Sequence, residues 1–188
     1  MEIFNYVMVL ASIIIGLAIT QLLQGAARIV QHPELARPYW VHLVWVAATF
    51  LGAIFWWWWE FRLSTQVWTF QLYVFVLLYA VIIYLRAALL FPDSLEGYDG
   101  YRGYFYSRRG WFFGLAITQT LTDVVDTLLK GWAHFVSLGW PYPAAIAIML
   151  LGFGIAIVTE NRRFHGALAI AFFAHQIVLA LAQFQSVG

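Results

Sequence analysis

The hexapeptide "GLAITQ" occurs twice in this chain, at Gly16–Gln21 and again at Gly114–Gln119, 98 positions later. Residues four apart lie on one face of a helix, so each copy predicts a helix that carries a ridge of small residues. Such ridges let helices approach closely in lipid, where packing and interhelical hydrogen bonds drive association. The residues predicted to pack in this way are Ser12, Gly16, Gly110 and Gly114.

The composition places both copies in a membrane protein. The 188 residues are 63% hydrophobic and 10% charged, with a mean hydropathy of +0.79. A bilayer core of about 30 Å needs roughly 20 apolar residues per helix, and continuous runs of this kind predict an all-α polytopic membrane protein, not an alternating β-barrel. Six spans are predicted, at Asn5–Ile29, Val41–Trp59, Val67–Phe91, Trp111–Leu129, Tyr142–Thr159 and His165–Phe184.

The repeat divides the chain into two halves of three helices. "WEFR" at Trp59–Arg62 resembles "TENR" at Thr159–Arg162, and each closes the second span of its half. Because three is odd, the second half enters from the opposite side of the membrane, which predicts inverted repeats. We expect residues 1–92 and 111–188 to form the two repeats, joined by a loop at 93–110, with the matched hexapeptides crossing near mid-bilayer. This arrangement resembles small transporters with inverted repeats in layout only.

The basic residues predict the orientation. Six spans place eight of them on the side of the first, third and fifth loops, and only Arg62 and Lys130 on the other. Because positive residues are retained in the cytoplasm, both termini are predicted outside it, with the bacterial inner membrane as the expected location. The eight residues are Arg28, Arg37, Arg86, Arg102, Arg108, Arg109, Arg162 and Arg163.

The fourth span carries a polar stripe at helical spacing, formed by Gln119, Asp123, Asp126 and Lys130. Counted from the start of its apolar run, Asp123 lies about 18 Å into the membrane, where a carboxylate is a functional candidate. Lys130, one turn away, is expected to neutralise Asp126, and His175 is the other deep ionisable group. The predicted pathway and titrating residues are Asp123, His175, Asp126, Gln119, Thr118, Gln21 and Thr20.

The aromatic run "FWWWWEFR" ends the second span. Four consecutive tryptophans point around nearly the whole helix, so an aromatic belt at the membrane interface is preferred over a cage for an organic cation. The predicted interface anchors are Trp56, Trp57, Trp58, Trp59, Glu60 and Arg62.

The middle loop, "EGYDGYRGYFYSRRGW" at Glu96–Trp111, mixes tyrosines with arginines. On the cytoplasmic side this composition is typical of a segment that lies on anionic lipid headgroups, so residues 97–109 are the predicted lipid contact. Docking of a protein partner at this loop is an alternative, whereas nucleic-acid binding by so short a patch is not expected.

Little in the sequence indicates catalysis. The chain has no cysteine, no zinc-type spacing and no nucleophile motif, so no metal or cofactor is expected and an enzyme is the least favoured class. His32, His42, His134 and His165 map to loops or interfaces, which disfavours haem. The leading interpretation is a small transporter or channel for protons, ions or a small solute. The alternative is a non-catalytic subunit or scaffold, and self-association is expected from the small-residue ridges.

Overall fold

The structure, a computed structural model, describes residues 2–32, 34 and 37–184. Within these residues the chain forms seven α-helices and a 3-10 turn at Glu60–Thr65. The helices are α1 (Glu2–Gln31), α2 (Trp40–Trp59), α3 (Phe70–Ala88), α4 (Gly100–Leu129), α5 (Trp132–Ser137), α6 (Pro141–Val158) and α7 (Arg162–Phe184).

Six of these helices are long and apolar enough to cross a bilayer, and α5, with six residues, is not. This confirms the all-α class and the number of helices that could span a membrane. It supports an integral membrane protein by length and composition.

Local sequence signals set several helix ends. The Thr69 hydroxyl accepts from the Leu72 amide and caps α3, and the Asn161 side chain accepts from the first amides of α7. Gly131 ends α4 at φ 118°, a conformation that only glycine adopts without strain. Pro141 opens α6, where its missing amide hydrogen costs nothing.

Helix α2 is the centre of the bundle, with 44% of its spanning segment buried, against 11% for α6 at the periphery. α1 packs mainly on α3, α3 also packs on α4, α4 packs on α6, and α7 packs on α2. α3 therefore lies between α1 and α4. The expected crossing of the two hexapeptides is not shown in the described residues: the helices that carry them each pack on α3, and Gly16 and Gly114 have no packing partner.

The interior has two apolar clusters. One is rich in aromatic residues and surrounds Trp45, which is fully buried and contacts the rings of Phe112, Phe113, Phe153 and Phe172 at centroid distances of 5.3–6.1 Å. The other joins α1, the end of α2 and α3. Residues of both clusters also line a polar cavity in the bundle.

The fourth span begins earlier than the sequence predicts. Residues 100–110, assigned to the middle loop, form the first three turns of α4. The Gly-Tyr step of three residues places Tyr101 and Tyr104 on one helix face, and both are buried together with Phe105. The glycines suggested a loop, but the apolar face that they separate packs against the core and holds the helix.

The small-residue ridges do not pack as predicted. A Cβ atom added at Gly16, Gly110 or Gly114 would have no other atom within 4 Å, so these positions face open space in the described chain. The close helix approach occurs at Gly25 instead, where an added Cβ atom would overlap the ring of Phe91.

Candidate functional site

A cavity of about 290 Å³ lies inside the bundle. Side chains of α2 and α3 from the first half, and of α4, α6 and α7 from the second half, line it. Its exposed lining residues, Arg62 and Pro141, are at the end of the bundle that holds α5, here called the α5 end. The predicted stripe of Gln119, Asp123, Asp126 and Lys130 faces this cavity.

Asp123 stands in the middle of the cavity wall. Its Oδ1 atom accepts from the Tyr79 hydroxyl at 3.3 Å, and its Oδ2 atom accepts from the Tyr142 hydroxyl at 3.0 Å. Tyr142 is also 3.0 Å from the Thr127 hydroxyl. Asp123 has no ion pair among the described residues, so neutral donors from α3 and α6 hold its carboxylate.

Three buried charges lie at the α5 end of the cavity. The Lys130 ammonium contacts Asp126, one turn earlier on α4, and Glu60 at 3.1 Å. The predicted pairing of Asp126 with Lys130 is thus present, and Glu60 joins it from the end of α2. Burial alone would lower the pKa of Lys130, but the charges of Glu60 and Asp126 outweigh burial and hold that pKa above its ordinary value. Lys130 is therefore charged at neutral pH.

The neighbouring His134 adds no charge to this end. Burial, together with the positive charges of Arg62 and Lys130, lowers the pKa of the His134 imidazole. We expect it to be neutral at pH 7.

Arg86 lies at the opposite end of the cavity and is 3% exposed. Its Nη1 atom donates to Gln119 Oε1 at 2.7 Å, and its Nη2 atom donates to Thr49 Oγ1 at 3.3 Å. The rings of Phe112 and Phe172 flank the guanidinium at 5.5 and 5.6 Å. Its Nε atom is buried without a hydrogen-bond partner, and no described carboxylate forms an ion pair with it.

α7 contributes His175 and Gln176 to the same cavity. Both carboxylate oxygens of Asp123 accept from tyrosines, and the described residues show no ion pair between Asp123 and His175. The Oε1 atom of Gln176 is buried without a partner. An added Cβ atom at Gly52 on α2 would lie 2.9 Å from Gln176 Nε2, so glycine at this position admits the amide to the cavity wall.

Three predicted pathway residues lie elsewhere. Thr20 and Thr118 are on exposed helix faces, and the Thr118 hydroxyl donates to the carbonyl of Gly114 in its own helix. Gln21 is half-buried and donates to the carbonyl of Phe91 at 3.3 Å. None of the three lines the cavity. Thr20 and Gln21 are on α1, which contributes nothing to its wall, and Thr118 is on an exposed face of α4.

The tryptophan run is only partly exposed. Trp57 and Trp58 are exposed, whereas Trp56 is 3% exposed and packs edge-on against Tyr79. Glu60 is buried beside Lys130, so its assignment as an interface anchor is wrong. Glu60 was assigned to the interface because it directly follows four tryptophans, a composition typical of a membrane surface.

A second cavity, about 730 Å³ and mostly apolar, lies on the outside of the bundle between the start of α1 and the end of α2. We call it the tryptophan groove. It is lined by Phe4, Asn5, Met8, Val9, Ser12, Trp57, Trp58, Trp59, Phe61 and Arg62. Trp59 and Arg62 line both cavities, so the groove lies next to the α5 end of the polar cavity.

The histidines do not gather into a metal centre. His42 and His165 are fully buried, and their Nε2 atoms bond to the backbone carbonyls of Leu90 and Thr159 at 2.7 and 2.9 Å. In the ranges that the structure describes, no group of three or more His, Asp or Glu side chains is arranged to hold a metal ion.

Sequence reasoning missed Arg86, Tyr79, Tyr142 and Glu60. Arg86 was counted only among the basic residues that predict the orientation. A signal was present, since Tyr79 and Arg86 are seven residues apart and thus share a helix face. A tyrosine and an arginine on one face of an apolar helix indicate a polar interior.

Comparison of the chain with protein-family models, with curated proteins and with solved structures finds no match. The function is therefore argued from the cavity itself.

Proposed function

We propose that this chain is a small membrane transporter or channel whose solute or ion site is the polar cavity. One observation carries the proposal: an apolar helical bundle contains a cavity of about 290 Å³ with Asp123, Arg86 and His175 in its wall. Charged groups inside a membrane bundle are costly and face pathways for polar species. A cavity walled by both halves of the chain is where inverted-repeat transporters bind their substrates.

The inverted repeat is part of this proposal. The two hexapeptides have similar environments, since Ala18 and Ala116 are fully buried while Thr20 and Thr118 are exposed. The neighbours differ, because α1 packs mainly on α3 whereas its counterpart α4 packs on α6. We propose repeats that share an ancestor and an inverted orientation but have diverged in packing.

The proposed location is the bacterial inner membrane, with both termini outside the cytoplasm. The support is the asymmetric distribution of arginines. In this orientation the α5 end of the cavity faces outward. The exposed Arg102 and Arg108 lie on the cytoplasmic side, where they suit anionic headgroups.

The test is a flux measurement in proteoliposomes of the purified chain, under proton, sodium and potassium gradients. We expect flux in the parent and at least a tenfold loss in Asp123→Asn and in His175→Ala, because each removes a titratable group from the cavity wall. The matched controls are Asp93→Asn and His32→Ala, which alter exposed residues outside the cavity. No parent flux under any gradient, or equal loss in the controls, would contradict the proposal.

A second candidate is a non-catalytic subunit or scaffold that binds a partner or a second copy of itself. The observation that favours it is the open space at Gly16, Gly110 and Gly114, together with the large exposed apolar side chains of α6. Purification of the chain with one stoichiometric partner, combined with absence of flux, would select this candidate.

A further inference from the structure

Among the described residues, the wall of the polar cavity holds two buried or half-buried charged side chains without an ion-pair partner, one of each sign. Arg86 is bound only to the neutral Gln119 and Thr49, and Asp123 only to the neutral Tyr79 and Tyr142. Lys130 lies between the carboxylates of Glu60 and Asp126, so these three groups are paired with one another. The cavity wall thus has a positive site at Arg86 and a negative site at Asp123.

The Arg86 end is suited to a carboxylate. A guanidinium has five N–H donors in a planar fork that matches the two oxygens of a carboxylate. Gln119 and Thr49 accept one hydrogen each from Nη1 and Nη2, which leaves one further donor on each of these atoms. A buried charge without a partner is strongly destabilising, so an anion supplied by a bound solute and held by these two donors would satisfy this site.

Asp123 is suited to the other end of the same solute. Each of its oxygens accepts one hydrogen bond from a tyrosine, and a carboxylate has about four acceptor positions. An ammonium group can donate to the remaining positions. A solute with a net negative charge would instead be repelled by Asp123, and one with a net positive charge by Arg86.

The dimensions favour a compact molecule. Gln119, which holds Arg86, precedes Asp123 by four residues on α4, a rise of about 6 Å. The cavity volume of about 290 Å³ equals roughly ten water molecules at about 30 Å³ each. The apolar wall includes Ile146, Met149 and Leu179, which suits an aliphatic portion.

We propose that the polar cavity binds a small zwitterion of the amino-acid class, with its carboxylate on Arg86 and its ammonium on Asp123. This inference rests on the proposed function in taking the cavity as the substrate site. It goes further by naming the substrate class and by assigning Arg86 to recognition.

The test is a binding experiment on the purified full chain in detergent. A thermal-shift panel of the standard amino acids identifies a binder. Calorimetry then compares the affinity of that amino acid with the affinities of two analogues. One analogue is its amide, which lacks the carboxylate, and the other is its deaminated acid, which lacks the ammonium. We expect both analogues to bind at least tenfold more weakly. Absence of any binder in the panel, or equal affinity for either analogue, overturns the inference.

Variants assign the two ends. We expect Arg86→Gln and Asp123→Asn each to weaken binding at least tenfold, whereas Arg108→Gln, an exposed arginine outside the cavity, leaves it unchanged. If Arg86→Gln does not fold, the analogue comparison on the parent still decides. Zwitterion binding without uptake of the bound zwitterion or flux of ions in proteoliposomes would refute transport and keep this site, while flux of protons or ions without zwitterion binding would refute this inference alone.

Discussion

The Lys130 side chain links two helices of the bundle through buried ion pairs. It is the cation of two buried carboxylates, Glu60 and Asp126, which come from different helices. One further oxygen on each carboxylate is buried without a hydrogen-bond partner. The ammonium therefore ties the end of α2 to the end of α4.

Replacing Lys130 with Met should destabilise the fold by about 3–5 kcal/mol, because it leaves two buried carboxylates without their cation. Arg62→Met, which removes an exposed arginine nearby, is the matched control and should have little effect. Unfolding in detergent, followed by circular dichroism, measures both. The triple change Lys130→Met, Glu60→Gln and Asp126→Asn should restore most of the stability, and equal stability of Lys130→Met and the parent would contradict this account.

Sequence spacing predicted the contact of Lys130 with Asp126 but not its contact with Glu60. Asp126 and Lys130 are four residues apart, so a local rule brings them together. Glu60 and Lys130 are seventy positions apart and meet only through packing of α2 on α4. The same limit applies to Arg86 and Gln119, whose contact depends on the neighbouring positions of α3 and α4.

At the scale of the helices, glycine has opposite roles within α1. Gly25 lies against the fully buried ring of Phe91, and Gly16 has open space beside it. The repeated hexapeptide drew attention to Gly16, but the contact that packs α1 is at Gly25. A repeat in sequence identifies related helices, whereas only the fold shows which glycine is packed.

Gly25→Ala should destabilise the protein by about 1–3 kcal/mol, since the new methyl group must displace the Phe91 ring. Gly16→Ala is the matched control in the same helix and should be neutral or stabilising, because alanine is the better helix former. Denaturant titration in detergent compares the two. A Gly16→Ala variant that is folded but changes oligomeric state would support self-association through the ridge, and equal effects on stability would contradict the packing described here.

At the scale of the whole molecule, the alternation of loops between the two ends is internally consistent. Arg37 before α2 pairs with Asp99 before α4 at 2.8 Å, so the first and third loops share an end. Gln66 after the 3-10 turn donates to the carbonyl of Lys130 at 3.2 Å, so the second and fourth connections share the other. The number of spans and the helical class were readable from apolar runs, while the position of α3 between α1 and α4 was not.

The absence of cysteine makes the orientation directly testable. Ser137→Cys, at the α5 end, should react with a membrane-impermeant maleimide in intact cells. Ser94→Cys, in the third loop, should react only after permeabilisation. Both serines are exposed, so each serves as the accessibility control for the other. Labelling of both from the same side would contradict the alternation of spans, and exchanged labelling would contradict the orientation inferred from the arginines.

The aromatic cluster around Trp45 has a consequence for any transport cycle. Its rings Phe112 and Phe172 flank Arg86. Behind them Trp45, Phe113 and Phe153 are fully buried, whereas the exposed lining residues of the cavity are at its α5 end. If the cavity transports a solute as proposed, release past this cluster would require several packed rings to change rotamers together. A collective motion of that kind takes microseconds to milliseconds, so we expect this step to set the turnover rate.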